Sequence, residues 1–187
     1  MSEILTYQDT VTKDDIFCVL SAVHSPASDQ RLMLFREGLK RLGKATSPFT
    51  FETESGGKPF IMLGKERIEI SLSHTKQFMA VVVSNNARVG IDVEEADRKV
   101  PDRLQSRIIS GLAENIIEPI RLWTIKEAFL KMSGSGLRVG MNKVRVNDLG
   151  DDLFEASTEN LHAWILSFLW EKKYISIAWD KFPGKVA

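Results

Sequence analysis

Cysteine is nearly absent: the 187 residues hold one, Cys18. An internal disulfide framework is therefore excluded, and the chain suits a reducing compartment. Histidine is scarce as well, and His24, His74 and His162 stand far apart, a poor ligand set for zinc with no second thiolate to help. Neither sign of charge is in excess, with 25 Lys plus Arg against 25 Asp plus Glu. No global basic field argues for nucleic acid. No apolar run approaches the ~18–20 residues that span a bilayer. The longest, "AWILSFLW" (163–170), is interrupted by Ser167 and bounded by Lys172 and Lys173. The start, "MSEILTYQDTVTKDD", lacks the basic segment and long apolar core of a signal peptide. Low-complexity tracts and repeats in letters are missing too. A soluble, cytoplasmic protein with no membrane or nucleic-acid partner is the expectation.

What is there is an ordinary globular composition, 43% hydrophobic and 27% charged, enough for one large domain or two small ones sharing a core. "IFCVLSAV" (16–23) predicts a buried strand. In "SDQRLMLFREGLKRLGK", Ser28 or Asp29 can cap a helix, Leu32, Phe35, Leu39 and Leu42 keep helical spacing, and Gly43 can end it. "ESGGKPF" (54–60) is a turn. "RIEISLSH" sets Ile68, Ile70 and Leu72 against Glu69, Ser71 and Ser73, the alternation of a half-buried strand. "QFMAVVVS" predicts a further strand. Helices are expected at "PDRLQSRIIS" and at 118–134, then strands at "NKVRV", "LHAWILSFLW" and "YISIAW". Helices gathered between antiparallel strand runs indicate an α+β fold rather than a doubly wound sheet.

Two stretches carry chemistry. In "VGIDVEEADRK" (89–99) an apolar strand delivers Asp92 and Glu94 to one face and Glu95 to the other. Such a pair is either solvated surface or half of a cation site. On the helix at 118–134, Leu122, Ile125, Phe129 and Met132 form an apolar arc, while Glu127 and Lys131 lie one turn apart on the opposite side with Trp123. That pair is either an exposed helix pair worth a few tenths of a kcal/mol or part of a site. The "SGSGL" loop after it (133–137) either ends the helix or gives a backbone that something approaches closely. Were Glu127 to face Asp92 and Glu94, each like-charged pair at ~5 Å and an effective dielectric of ~20 would cost about 3 kcal/mol. Lys131 offsets part of that, and a divalent cation can offset all of it; an all-oxygen set suits Mg²⁺ or Mn²⁺.

"GIDVE" (90–94), followed by "WTIKEAFLKMSGSGL" (123–137), resembles the 4′-phosphopantetheinyl transferases, nearest to the pseudodimeric, surfactin-synthetase-activating class. "SLSH" (71–74) and "GGKP" (56–59) resemble segments upstream in that family, and the likeness is good over roughly residues 54–140. The resemblance implies a pseudodimer of two similar α+β halves with the active site in the cleft between them. Residues 1–88 would form the coenzyme A side and 89–187 the metal-binding and catalytic side. It implies transfer of the phosphopantetheine arm of coenzyme A to a serine of an apo acyl or peptidyl carrier protein, releasing adenosine 3′,5′-bisphosphate. Asp92, Glu94 and Glu127 would hold Mg²⁺ (or Mn²⁺). Lys131 would contact the phosphate and aid the leaving group. His74, Ser73, Lys58 and Arg31 would grip the phosphates or the adenosine end, and Glu127 is the leading general base. With its two-fold partner inside one chain, the molecule is expected to be monomeric.

Two departures stand out. Family members often carry a basic segment before the first helix, where this chain reads "HSPASDQR". Between the motifs the usual aromatic pair is replaced by "RLQSRIISGLAENIIEP", in a region that borders the carrier dock. Arg98, Lys99, Arg103 and Arg107, just past the acidic strand, either meet an acidic carrier helix or form a solvated basic face. One alternative is a relative that binds coenzyme A or a carrier protein without turnover. Another is a different Mg²⁺-dependent phosphotransfer enzyme, although no GxxxxGK[ST] loop supports it.

Overall fold

The computed structural model describes residues 4–7, 16–22, 27–44, 48–111, 114 and 116–181. His24, and with it the start of "HSPASDQR", lies outside the described residues. Strands β1 (Ile4–Tyr7), β2 (Ile16–Ala22), β3 (Thr50–Thr53), β4 (Pro59–Leu63), β5 (Glu66–His74) and β6 (Phe78–Ser84) form one sheet, ordered β1-β2-β6-β5-β4-β3. Helix α1 (Ala27–Arg41) covers one face of it. The second sheet is ordered β7-β11-β10-β9-β8, from β7 (Val89–Glu95), β8 (Arg145–Gly150), β9 (Leu153–Ser157), β10 (His162–Trp170) and β11 (Lys173–Trp179). Between β7 and β8 run α2 (Asp102–Ile108), α3 (Pro119–Ser133) and short 3-10 turns. All the pairings are antiparallel. The α+β expectation holds.

Strand alternation sorts the apolar residues into three cores. Phe17, Val19, Val81 and Val83 face α1, meeting Leu34, Phe35 and Leu39. The opposite faces of β2 and β6 offer Cys18, Leu20, Ala80 and Val82, which pack against Ile91, Val93, Ile175 and Ile177 of the second sheet. Beyond it, Ile165, Phe154 and Ala178 meet Leu122, Ile125 and Phe129 of α3. The order of layers is thus helix, sheet, sheet, helix, and the middle core joins the two sheets.

Several details depart from the sequence reading. On α1 the buried stripe is Leu34, Phe35 and Leu39, while Leu32 is exposed. The polar face of β5 is not solvated: Glu69, Ser71 and Ser73 are all buried, because that face meets β7. Residues 141–143 form a 3-10 turn, so the strand expected at "NKVRV" begins only at Arg145. Strands β1, β3, β4 and β9 were not anticipated. Two hairpins turn through pairs with positive φ, Asp151–Asp152 and Glu171–Lys172, the backbone that tight hairpins require and that Asn-Gly more often supplies.

Candidate functional site

β7 is an edge strand of the second sheet, and an edge leaves backbone donors unpaired. Here the N–H of Ile91 donates to Ser71 Oγ at 3.1 Å and that of Val93 to Ser73 Oγ at 3.2 Å. The alternating serines of "ISLSH" therefore stand in for a neighbouring strand, and they dock β5 onto β7. Gly90 permits the next contact. A Cβ there would lie 2.0 Å from the carbonyl oxygen of Ala128 and 2.5 Å from the amide nitrogen of Met132, so α3 presses directly on the β7 backbone.

These two approaches bring Ser73, Asp92 and Lys131 together. Lys131 Nζ stands 2.7 Å from Asp92 Oδ1 and 3.1 Å from Ser73 Oγ, and Ser73 Oγ donates to Asp92 Oδ1 at 2.9 Å. Asp92 is buried, with its side chain 7% exposed against 31% for Lys131. Burial raises the Asp92 carboxyl above its ordinary range, opposed by the Lys131 ammonium and the Ser73 hydroxyl. Glu127, one turn before Lys131, is raised too, by burial first and then by the charge of Asp92, with Glu94 adding to it and Lys131 opposing. Glu127 thus feels the charge of both Asp92 and Glu94, the arrangement that the sequence reading only supposes.

Glu94 itself is paired with Arg98, whose guanidinium lies 5.9 Å from the Trp123 ring centre. Arg98 is therefore committed to the acidic strand. Glu95 points the other way, its side chain 41% exposed and 3.9 Å from Lys173.

Asp92 Oδ2 is buried with no hydrogen-bond partner among the described residues, an orphan acceptor that invites a donor or cation. Asp92, Glu94 and Glu127 are all oxygen donors, the ligand type a hard divalent ion prefers. Among the described residues, however, no three Asp, Glu, His or Cys groups stand close enough to hold a metal ion as the side chains lie.

The remaining candidates are elsewhere. Arg31 is exposed on α1, 5.3 Å over the Phe51 ring. His74 is exposed at the end of β5, and strand alternation puts it on the α1 face, opposite Ser73. Lys58 is not a surface cation. Its side chain is 1% exposed, and Nζ donates to the carbonyls of Ile70 (3.1 Å) and Val89 (3.0 Å) and lies 3.3 Å from Glu69 Oε2. Burial lowers its proton affinity, and Glu69 restores part of it. Lys58, read from the sequence as a phosphate contact, thus lies buried in this structure with its Nζ bonded to two carbonyls and ion-paired with Glu69.

One buried pair escaped the sequence reading. Lys126, on the face of α3 away from Glu127, is fully buried with Glu114 at 2.9 Å. It also donates to Ser110 Oγ, Ile108 O and Met141 O. Glu114 accepts from the amides of Ser110 and Val146. The only hint was a lysine among apolar neighbours in "WTIKEAFL".

Two antiparallel sheets with an acidic, lysine-balanced cluster where they join define an α+β protein of two halves. Residues 88–179 match the family model described as the 4′-phosphopantetheinyl transferase superfamily. Through that segment the chain is similar to the superfamily. It is similar to the 4′-phosphopantetheinyl transferase gsp of Aneurinibacillus migulanus, 31% identical over 104 residues, covering 49% of this chain and 41% of that protein. It is also similar to the 4′-phosphopantetheinyl transferase psf-1 of Bacillus pumilus, 34% identical over 101 residues, covering 49% and 42%. The matched stretch thus spans about two fifths of these relatives' length.

Proposed function

We propose that this protein transfers the 4′-phosphopantetheine arm of coenzyme A to a serine hydroxyl of an apo acyl or peptidyl carrier protein, releasing adenosine 3′,5′-bisphosphate. The observation that carries the reading is the Ser73–Asp92–Lys131 cluster with Glu127 one helical turn away, drawn from "SLSH" and the two motifs that resemble the family. The serine Oγ forms a bond to the phosphorus that bears the pantetheine arm, and the bond from that phosphorus to the bridging oxygen breaks. Glu127 takes the hydroxyl proton. Its raised proton affinity is in the direction a base working near neutral pH needs. Lys131, oriented by Asp92 and Ser73, meets the negative charge that grows on the departing phosphate. Arg31 and His74, on the α1 face of the first sheet, hold the adenosine end, so coenzyme A reaches from residues 1–88 to residues 89–187. Asp92, Glu94 and Glu127 would hold Mg²⁺, or Mn²⁺, which would supply positive charge to the pyrophosphate.

The test is transfer of labelled phosphopantetheine from coenzyme A to a panel of fatty-acid, polyketide and peptide-synthesis apo carriers. Labelled carrier is expected with Mg²⁺ and not with excess chelator. Asp92→Asn should lower the rate by about a hundredfold or more while the far-ultraviolet circular dichroism spectrum is kept. Binding of coenzyme A or carrier without transfer to any of them would replace this reading with that of a non-catalytic relative.

A further inference from the structure

Lys131 sits in the last turn of α3, where the final four carbonyls of a helix have no partner within the helix. A side chain from another element meets two of them. Arg88 donates from Nε to Met132 O at 3.3 Å and from Nη2 to Ser133 O at 3.4 Å. The same guanidinium grips Glu54 with both arms, Nη1 to Oε1 at 3.1 Å and Nη2 to Oε2 at 3.0 Å. Glu54 opens the "ESGGKP" turn. From the far side Arg138 donates to Gly56 O in that turn at 2.8 Å, and to Gly134 O at 3.4 Å.

The glycines make this closeness possible. Gly134 ends α3 at φ 73°, and a Cβ there would lie 3.1 Å from Lys58 Cβ and 3.3 Å from Arg88 Nη2. A Cβ on Gly56 would lie 3.3 Å from Gly134 O. The "SGSGL" loop therefore both terminates the helix and receives the turn of the other half.

We propose that Arg88, clamped by Glu54, is a positioning residue: it fastens the C-terminal turn of α3 to the "ESGGKP" turn and so sets where Lys131 meets Asp92. The middle of α3 has its own anchors, Lys126 on Glu114 and Thr124 on Ser176. At its last turn the clasp meets the carbonyls of Met132 and Ser133. A cation at the carbonyl end of a helix is also favoured by the helix dipole. Lysine at position 88 keeps the charge but cannot grip Glu54 with two arms while capping two carbonyls.

The catalytic half of this inference rests on the function proposed above, and the test separates the two. Amide hydrogen exchange is measured on wild type, Arg88→Lys and Arg88→Ala. Exchange in 129–137 should rise about tenfold or more in Arg88→Lys, while 119–126 stays as in wild type. In the transfer assay Arg88→Lys should lower kcat about tenfold or more, with KM for coenzyme A changed less than about twofold. Combining Arg88→Lys with Lys131→Ala should add little further loss, because the route through Lys131 is already gone. Uniform exchange across α3, or equal fractional losses in the two backgrounds, would overturn the positioning role. If wild type transfers nothing, the functional reading falls, and the exchange measurement alone decides whether the clasp holds the helix end.

Discussion

At the scale of single residues, two lysines five positions apart on one helix have opposite fates. Lys131 keeps its ammonium partly open to water beside Asp92, while Lys126 is fully buried against Glu114. Burial lowers the proton affinity of Lys126, and the Glu114 carboxylate opposes that. Removing one partner of a buried ion pair strands the other, which costs about 3–5 kcal/mol, whereas replacing both costs far less. Lys126→Met should therefore destabilise by roughly that amount in urea unfolding, and adding Glu114→Gln should recover a good part of it. Gln keeps one acceptor oxygen for the amide of Ser110 or of Val146, both of which Glu114 now satisfies through its two oxygens. A double variant no more stable than Lys126→Met would show that the charge on Glu114 is not what the lysine neutralises.

At the scale of elements, the contact of α3 with β7 decides the geometry of the site. Both pieces could form with many side chains at position 90, yet only glycine lets the helix backbone come this near. Gly90→Ala places a methyl 2.0 Å from a helix carbonyl, an overlap that backbone movement must relieve. Overpacking of this kind costs about 1–3 kcal/mol or more. The expected outcome is a lower Tm together with slower transfer, because displacing α3 carries Lys131 and Glu127 away from Asp92. A Gly90→Ala variant with wild-type Tm and kcat would mean the helix has slack that the contact distances do not suggest.

At the scale of the molecule, the sheets share the apolar core between β2–β6 and β7–β11, and polar ties cross at its margin. One tie gives the stability a pH signature. Arg88, then Arg67, holds the Glu54 carboxyl below its ordinary 4.5, against the opposing effect of burial. A carboxyl lowered in the folded state contributes stability that is complete above the unfolded value and lost as pH falls through the folded one. The stability difference between wild type and Glu54→Gln should thus be constant from pH 7 down to about 5, then shrink as pH drops below about 4.5. Denaturant midpoints at pH 7, 5 and 4 check this. A difference that grew on acidification would put the sign, and the pair, in error.

The sequence by itself determined what depends on neighbours along the chain. Two-residue alternation put Asp92 and Glu94 on one face, the helical period put Lys131 one turn from Glu127, and Gly134 was legible as a helix end. Tertiary structure alone decided whatever depends on partners distant in sequence. Short strands such as the exposed "TFET" at 50–53 have little pattern of their own and exist because β4 pairs with them. The serines of β5 read as the polar side of a half-buried strand, and only docking of an unpaired strand edge made them buried acceptors. Nothing within "GGKP" showed that Lys58 would be buried against the carbonyls of Ile70 and Val89, the latter 31 residues away. Periodicity states which way a side chain points along its own element. What waits there is settled by packing, because a buried donor or acceptor must find its partner wherever the fold brings one.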